Sequence, residues 1–118
     1  MNNTLLAEAQ LFLQNGHYQQ AEAFCTLLTI SSPAEGAAWM GVGIARFFQG
    51  SIERAKEAFD IALHLQKGSL SPLLWKIECL LKLEEKLQAV HLFTTICKET
   101  DNEQEKEHIR QLETILGV

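Results

Sequence analysis

The sequence predicts an all-α fold in which three helical hairpins stack side by side and one more helix covers the end of the stack. Ala21, Ala55 and Ala89 stand at equal intervals along the chain, at the same place in a repeated apolar pattern. Turn-forming Gly16 and Gly50, separated by the same interval, interrupt stretches whose apolar residues recur with helical spacing. These two observations predict helices that are joined in pairs by short turns. The sequence shows no alternating pattern of the kind that predicts strands.

The interval corresponds to a period of about 34 residues with two helices in each unit, which is typical of tetratricopeptide repeats. One such hairpin cannot bury its apolar face alone, so several of them stack to make a continuous core. We therefore predict one domain, residues 1–118, folded as a right-handed α-solenoid. Its repeats are predicted at about 2–35, 36–69 and 70–99, with a capping helix in 100–118.

Seven helices are predicted, over residues 4–15, 18–30, 34–48, 52–66, 72–83, 86–98 and 102–116. Ser32 and Ser71 each precede a proline, which predicts a serine cap and a proline in the first turn of the third and fifth helices. Thr100 and Glu103 have the spacing of a capping box before the last helix. The apolar stripe of that helix predicts that it covers the exposed end of the stack.

The third repeat departs from the pattern of the other two. Glu84 stands where the other repeats have their turn glycine, and Ile77 replaces a small residue. Trp75 lies two places after the position that the second repeat predicts for a tryptophan. The later positions Ala89 and Phe93 keep their places, so the repeat is still recognisable.

Composition excludes several classes of protein. The formal net charge is −5 and basic residues form no cluster, which argues against a nucleic-acid partner. No apolar run is long enough for membrane insertion, and the start of the sequence lacks the features of a signal peptide. Cys25, Cys79 and Cys97 are scattered rather than paired, so we predict free thiols, no metal site and a reducing cytoplasm.

No arrangement of residues predicts catalysis or a cofactor. The four histidines, His17, His64, His91 and His108, lack the paired spacing of metal ligands. The glycines of "GVG", residues 41–43, have no strand before them and no phosphate-binding motif after them, so they predict close helix packing instead. The chain is interpreted as a binding protein and not an enzyme.

The first helix of each hairpin is expected to line a concave groove. The third helix is apolar around most of its circumference, so part of its surface would face this groove unless a partner covered it. The predicted groove residues belong to the three first helices. They are Leu6, Gln10, Leu13, Met40, Ile44, Phe47, Phe48, Leu74, Glu78 and Leu81.

Nearly the whole chain resembles the small tetratricopeptide chaperones of bacterial type III secretion. The likeness lies in "NGHYQQAEAFCTLL", "WMGVGIARFFQGSIERAKEAF", "SPLLWKIECLLKL" and "KLQAVHLFTTI". Trp39, Gly41 and Gly43 loosely match a motif of the second repeat in the chaperones of hydrophobic translocators, and Glu78-Cys79 begins a signature of their third repeat. The sequence starts at the first repeat, without the N-terminal segment usual in that class. In this it is more similar to needle-subunit co-chaperones and small export-apparatus chaperones.

This resemblance implies a cytoplasmic bacterial chaperone that shields an apolar segment of a secreted client. The implied partner is a translocator, needle or export-apparatus protein, with either a second small co-chaperone or a second copy of the chain. Two alternatives stay open. One is a general tetratricopeptide scaffold that clamps a terminal carboxylate, for which the groove offers chiefly Arg46 and Lys82. The other is a structural subunit that assembles with itself.

Overall fold

The computed structural model describes residues 3–118, and every regular element within that range is a helix. The helices are α1 (Asn3–Gln14), α2 (Tyr18–Ser31), α3 (Gly36–Phe48), α4 (Ile52–Leu65), α5 (Ser71–Lys82), α6 (Lys86–Thr95) and α7 (Glu103–Leu116). The predicted all-α class with seven helices is confirmed. The first repeat was predicted to begin at residue 2, and residues 1 and 2 lie outside the described range.

Consecutive helices pair as three hairpins, α1–α2, α3–α4 and α5–α6, which stack in chain order. The first helices of the hairpins are neighbours, since α3 contacts both α1 and α5. Helix α7 packs against α5 at the end of the stack. This arrangement is the predicted α-solenoid with a capping helix, and it places α1, α3, α5 and α7 around one surface.

Three apolar clusters hold the hairpins together. The alanines at the repeated position, Ala21, Ala55 and Ala89, are all completely buried. One cluster joins the first two hairpins around Cys25 and Val42, and a second is built around Phe59. The third consists of Leu74, Ile77, Leu80, Ala89, Phe93, Ile109, Leu112 and Leu116. Because α7 supplies the last three of these residues, its apolar stripe closes the core of the third hairpin.

The turn within each hairpin needs one residue in the left-handed backbone region. Gly16 and Gly50 fill this place in the first two hairpins, with φ of 78° and 87°. Glu84 fills it in the third, with φ of 62°, so the chain makes the same turn without glycine. A residue with a Cβ is strained in this conformation, and the strain costs about 1–2 kcal/mol.

Replacing Glu84 with Gly is expected to raise the free energy of unfolding by about 0.5–1 kcal/mol, because relief of strain exceeds the entropy that glycine adds to the unfolded chain. Gly50→Ala is the matched control, since nothing lies within 4 Å of the Cβ that it would add. That variant should be destabilised by about 1 kcal/mol through its backbone alone. Urea unfolding measures the free energy of unfolding of both variants. A Glu84→Gly variant less stable than the unaltered chain would contradict this explanation.

The predicted start of the third helix is wrong by two residues. Ser32 does not cap α3, because its N–H donates to the Leu28 carbonyl and thereby closes α2. Residues 33–34 form a turn, and Glu35 caps α3 through its carboxylate, which accepts from the N–H of Ala37. Helix α6 ends at Thr95, three residues earlier than predicted.

Helices α5 and α7 also begin differently from the prediction. Ser71 is the first residue of α5 and not its cap. At the start of α7, Asn102 is the cap, and its side chain accepts from the N–H of Glu105. Thr100 does not form the predicted capping box with Glu103. Its hydroxyl donates to the carboxylate of Glu105 instead.

Candidate partner-binding groove

Helices α1, α3, α5 and α7 enclose a groove made of two connected bays. The first, which we call the aromatic bay, has a volume of about 670 Å³ and is lined by Phe47, Phe48 and Trp75 together with charged residues of α5 and α7. The second, the amide bay, has a volume of about 640 Å³. Its polar lining is mostly uncharged and includes Gln10, Gln14, Gln66, Ser69, Asn102 and Gln104. Ile44 and Trp75 line both bays, which makes the groove continuous.

The floor of the aromatic bay is a group of rings centred on Trp75. Its ring centroid lies 5.4 Å from that of Phe47, 5.8 Å from that of Phe59 and 6.0 Å from that of Phe48. Phe48 also stacks on Tyr18 at 5.0 Å, yet 51% of its surface stays exposed. A large aromatic side chain held in place and half-exposed is an anchor for a partner, since such residues dominate binding energy at protein interfaces.

Most of the predicted groove residues lie along this surface. Leu6, Gln10, Leu13, Met40 and Ile44 line the amide bay, with Ile44 shared between the bays. Phe47, Phe48 and Glu78 line the aromatic bay. Phe47 is only 8% exposed and belongs to the second core cluster, so it supports the floor more than it offers surface to a partner.

Leu74 and Leu81 are placed elsewhere than predicted. Leu74 is completely buried in the third core cluster, and Leu81 packs against the same cluster. The face of α5 that lines the groove is made by Ser71, Trp75, Glu78 and Lys82. Glu78 is as predicted, and Trp75 and Lys82 each stand one position after the predicted leucine. The sequence of α5 is apolar on several sides, so hydrophobic periodicity did not determine which side faces the groove.

The wall that α7 contributes to the groove was not predicted. Gln104, Glu107, His108 and Gln111 all line the aromatic bay. The apolar stripe of α7 predicts that one side of this helix packs on the end of the stack. The polar residues on its other side do not indicate that this side lines the groove. The spacing 71, 75, 78, 82 follows one face of a helix, but so does 74, 78, 81, so spacing alone does not identify Trp75.

Glu105 joins α7 to the start of α5. Its Oε2 accepts from the N–H groups of Leu70 at 3.1 Å and Ser71 at 3.0 Å, and from the hydroxyls of Ser71 and Ser69. Its Oε1 accepts from Thr100. Burial alone would raise the pKa of this carboxyl, but the hydrogen bonds from Thr100, Ser71 and Ser69 outweigh burial and lower the pKa. Glu105 therefore caps α5 as a carboxylate supplied by a distant part of the chain.

Two further carboxylates near the groove are engaged within the chain. Glu78 accepts from His108 at 3.1 Å, and the His108 ring lies 5.2 Å from Trp75. Glu22 accepts from Arg46 at 3.0 Å, a contact between the first and second hairpins. Burial would raise the pKa of Glu22, but Arg46 together with other donors lowers it. Because Arg46 is held by Glu22 and is not a groove residue, it does not form half of a carboxylate clamp.

Two of the three cysteines, Cys25 and Cys79, are buried. Burial raises the pKa of Cys25, which lines the amide bay, to about 11, and that of Cys79 to about 12, so neither thiol is an activated nucleophile. Cys97 is exposed. Among the described residues, no cluster of three potential metal ligands occurs, and no helix has the length and apolarity to cross a membrane.

Comparison with known proteins finds a match at the level of structure only. No family model matches the sequence, and no curated protein matches it. Among solved structures, the type III secretion translocator chaperone SycD of Yersinia enterocolitica matches with a TM-score of 0.87. The chain shares its fold with a translocator chaperone. The match covers 98% of this chain and 80% of the SycD chain at 19% sequence identity. The fold match therefore agrees with the fold that the resemblance of the sequence implies.

Proposed function

We propose that this chain is a chaperone of bacterial type III secretion that binds an apolar segment of a secreted client in the groove. The observation that carries the proposal is the half-exposed ring of Phe48, with 51% of its surface exposed, in a groove that Ile44 and Met40 also line. The fold shared with SycD supports the same class of function. A groove of this kind offers binding without chemistry, as a holding chaperone requires.

Capture would work through burial of apolar surface. Client side chains that cover Phe48, Ile44 and Met40 gain about 25 cal/mol for each Å² of apolar surface removed from water. Ordering the client segment and the groove side chains reduces that gain. The amides of Gln10 and Gln104 would bond polar groups of the client and set its position in the groove. The client is thereby kept from aggregation or early assembly.

The proposed client is a translocator, needle or export-apparatus protein, held in the bacterial cytoplasm before export. Such proteins expose apolar segments that would otherwise associate. A second small co-chaperone, or a second copy of the chain, would bind outside the groove, because the client occupies the groove itself. Binding of a terminal carboxylate by a two-residue clamp is disfavoured, since Arg46 is bonded to Glu22 at 3.0 Å.

Phe48→Ala is expected to weaken client binding about tenfold or more while the helices remain folded, because Phe48 acts as an exposed anchor. Leu27→Ala is the matched control, since Leu27 is 57% exposed on α2 and lines neither bay. The chain and its variants are co-expressed with translocator, needle and export-apparatus proteins of the host. Affinity is then measured by titrating whichever client co-purifies.

Equal binding by Phe48→Ala and the unaltered chain, or no client in the whole panel, would contradict the proposal. Phe47 is unsuitable for this test. It is packed in the second core cluster, so its removal would destabilise the chain by about 3–5 kcal/mol and confuse folding with binding.

A further inference from the structure

The charged groups that line the aromatic bay are acidic on balance. Among the described residues of its lining, the carboxylates of Glu78, Glu105 and Glu107 stand against one ammonium, that of Lys82. Lys82 is exposed and makes no ion pair within the described part of the chain, so water screens its charge. None of the described residues that line the amide bay is Lys or Arg. The groove therefore favours a positively charged group over a negatively charged one.

Two of these carboxylates are fully used within the chain. Glu107 pairs with Arg110 at 3.0 Å, and this cation balances its charge. Glu105 is buried and accepts from five groups, three hydroxyls and two N–H groups. Because a carboxylate offers about four acceptor positions, these neutral donors leave no place for a further one, although the negative charge stays. Glu105 therefore contributes charge to the bay but no bonding position.

Glu78 is the carboxylate of the bay that has an oxygen to spare. Its Oε1 accepts from the His108 ring at 3.1 Å, and none of the residues that the structure describes donates to its Oε2. A neutral imidazole donor leaves the negative charge of Glu78 in place. The side chain is 20% exposed, so a ligand can reach it while water screens it less than a surface carboxylate. Trp75 lies one turn earlier on the same face of α5.

We propose that the aromatic bay selects a client segment in which an apolar side chain is accompanied by an arginine or a lysine. The apolar side chain would cover Phe48. The cation would pair with the free oxygen of Glu78 while its aliphatic stem lies along the ring of Trp75. This inference rests on the proposed function, because it names which apolar segments the groove accepts. The basis is charge complementarity between a cationic side chain and a lining that is net acidic.

The basic residue is expected to tighten binding about fivefold. A fully solvated ion pair contributes little, but a segment seated in the bay excludes water from Glu78 and strengthens the charge-assisted hydrogen bond. Lys82 reduces the preference, because its ammonium repels the incoming cation. Arginine is expected to be favoured over lysine, since its planar guanidinium can bond a carboxylate and lie flat on an aromatic ring.

The experiment begins with a phage-displayed library of random twelve-residue peptides, panned against the full chain. The selected peptides are expected to combine apolar residues with Arg or Lys. The basic residue of a selected peptide is then replaced by a neutral residue of similar shape, citrulline for Arg or acetyl-lysine for Lys. Titration should show that this replacement weakens binding to the unaltered chain about fivefold.

Three variants test whether Glu78 causes this loss. Glu78→Gln keeps an oxygen that can accept from His108 but removes the charge, so the neutral replacement should weaken binding about twofold or less. Glu113→Gln is the matched control, since Glu113 is an exposed carboxylate of α7 that lines neither bay, and the loss should persist there. Lys82→Gln should enlarge the loss, because it removes the repulsion. Circular dichroism checks that each variant folds.

The possible outcomes separate this proposal from the proposed function. Apolar peptides without Arg or Lys, or a loss of the same size in Glu78→Gln and the unaltered chain, would overturn the role of Glu78 while apolar capture stands. A loss that Lys82→Gln reduces would overturn it as well. No selected peptide, or equal selection by the unaltered chain and by Phe48→Ala, would overturn the groove as a binding site, and the Glu78 proposal with it. A loss confined to chains that retain Glu78 supports both.

Discussion

Replacing Glu105 with Ala is expected to lower the free energy of unfolding by about 2–3 kcal/mol. The side chain is 8% exposed and accepts from backbone and hydroxyl groups at the start of α5. Without the carboxylate, the half-buried N–H groups of Leu70 and Ser71 lose their acceptor. Chemical denaturation monitored by circular dichroism measures the loss.

The same site predicts how stability depends on pH. The pKa of Glu105 is lowered on folding, so its contribution is fully present above the ordinary pKa of 4.5 and is lost as the pH falls through the lowered value. Glu105→Gln removes this part of the acid transition. Glu103→Gln is the matched control, since Glu103 lies on the same helix with its side chain 80% exposed. An unchanged acid transition in Glu105→Gln would contradict the assigned role.

Gly43→Ala is expected to destabilise the chain by about 1–3 kcal/mol, even though alanine favours helices more than glycine does. A Cβ at this position would lie 2.6 Å from a ring carbon of Phe59. Phe59 is completely buried in the second core cluster, so its ring cannot move aside. Because α3 forms the floor of the groove, a shift of this helix would also weaken client binding. Thermal unfolding measures the first effect and client titration the second.

Two comparisons test whether the contact with Phe59 is the cause. Gly36→Ala would place its Cβ against the flexible side chain of Gln66, which can move, so stability should change by about 0.5 kcal/mol or less. Combining Gly43→Ala with Phe59→Leu should cost less than the sum of the two single changes, because a smaller side chain leaves room for the added methyl group. Strictly additive losses would rule out the proposed steric cause.

The repeat pattern predicted the architecture because a helical hairpin is specified by residues that are close together in the sequence. A turn glycine and a small residue that return after one repeat length describe one hairpin, and stacking follows from the need to bury its apolar face. The predicted packing role of the glycines at residues 41–43 agrees with what surrounds them on the neighbouring helices. A Cβ at Gly41 would meet the sulfur of Cys25, and one at Gly43 would meet Phe59.

The remaining features depend on contacts between residues that are distant along the chain. No local pattern relates Glu105 to Ser71, so neither the cap of α5 nor the α7 wall could be predicted. Apolar residues on several sides of α5 leave its rotation undetermined, so the prediction names Leu74 where Trp75 lines the groove. Serine and proline at residues 32–33 look like a helix start, but Ser32 closes α2.

Photo-crosslinking from within the groove tests whether a secreted client binds there. A photoreactive phenylalanine analogue is placed at position 48 of the full chain in its native cell, and separately at positions 27 and 87. Leu27 and Leu87 are 57% and 87% exposed and line neither bay. One secreted protein is expected to be crosslinked from position 48 and not from the other two. Crosslinks from position 48 only to another copy of this chain, or equal crosslinks from all three positions, would contradict this expectation.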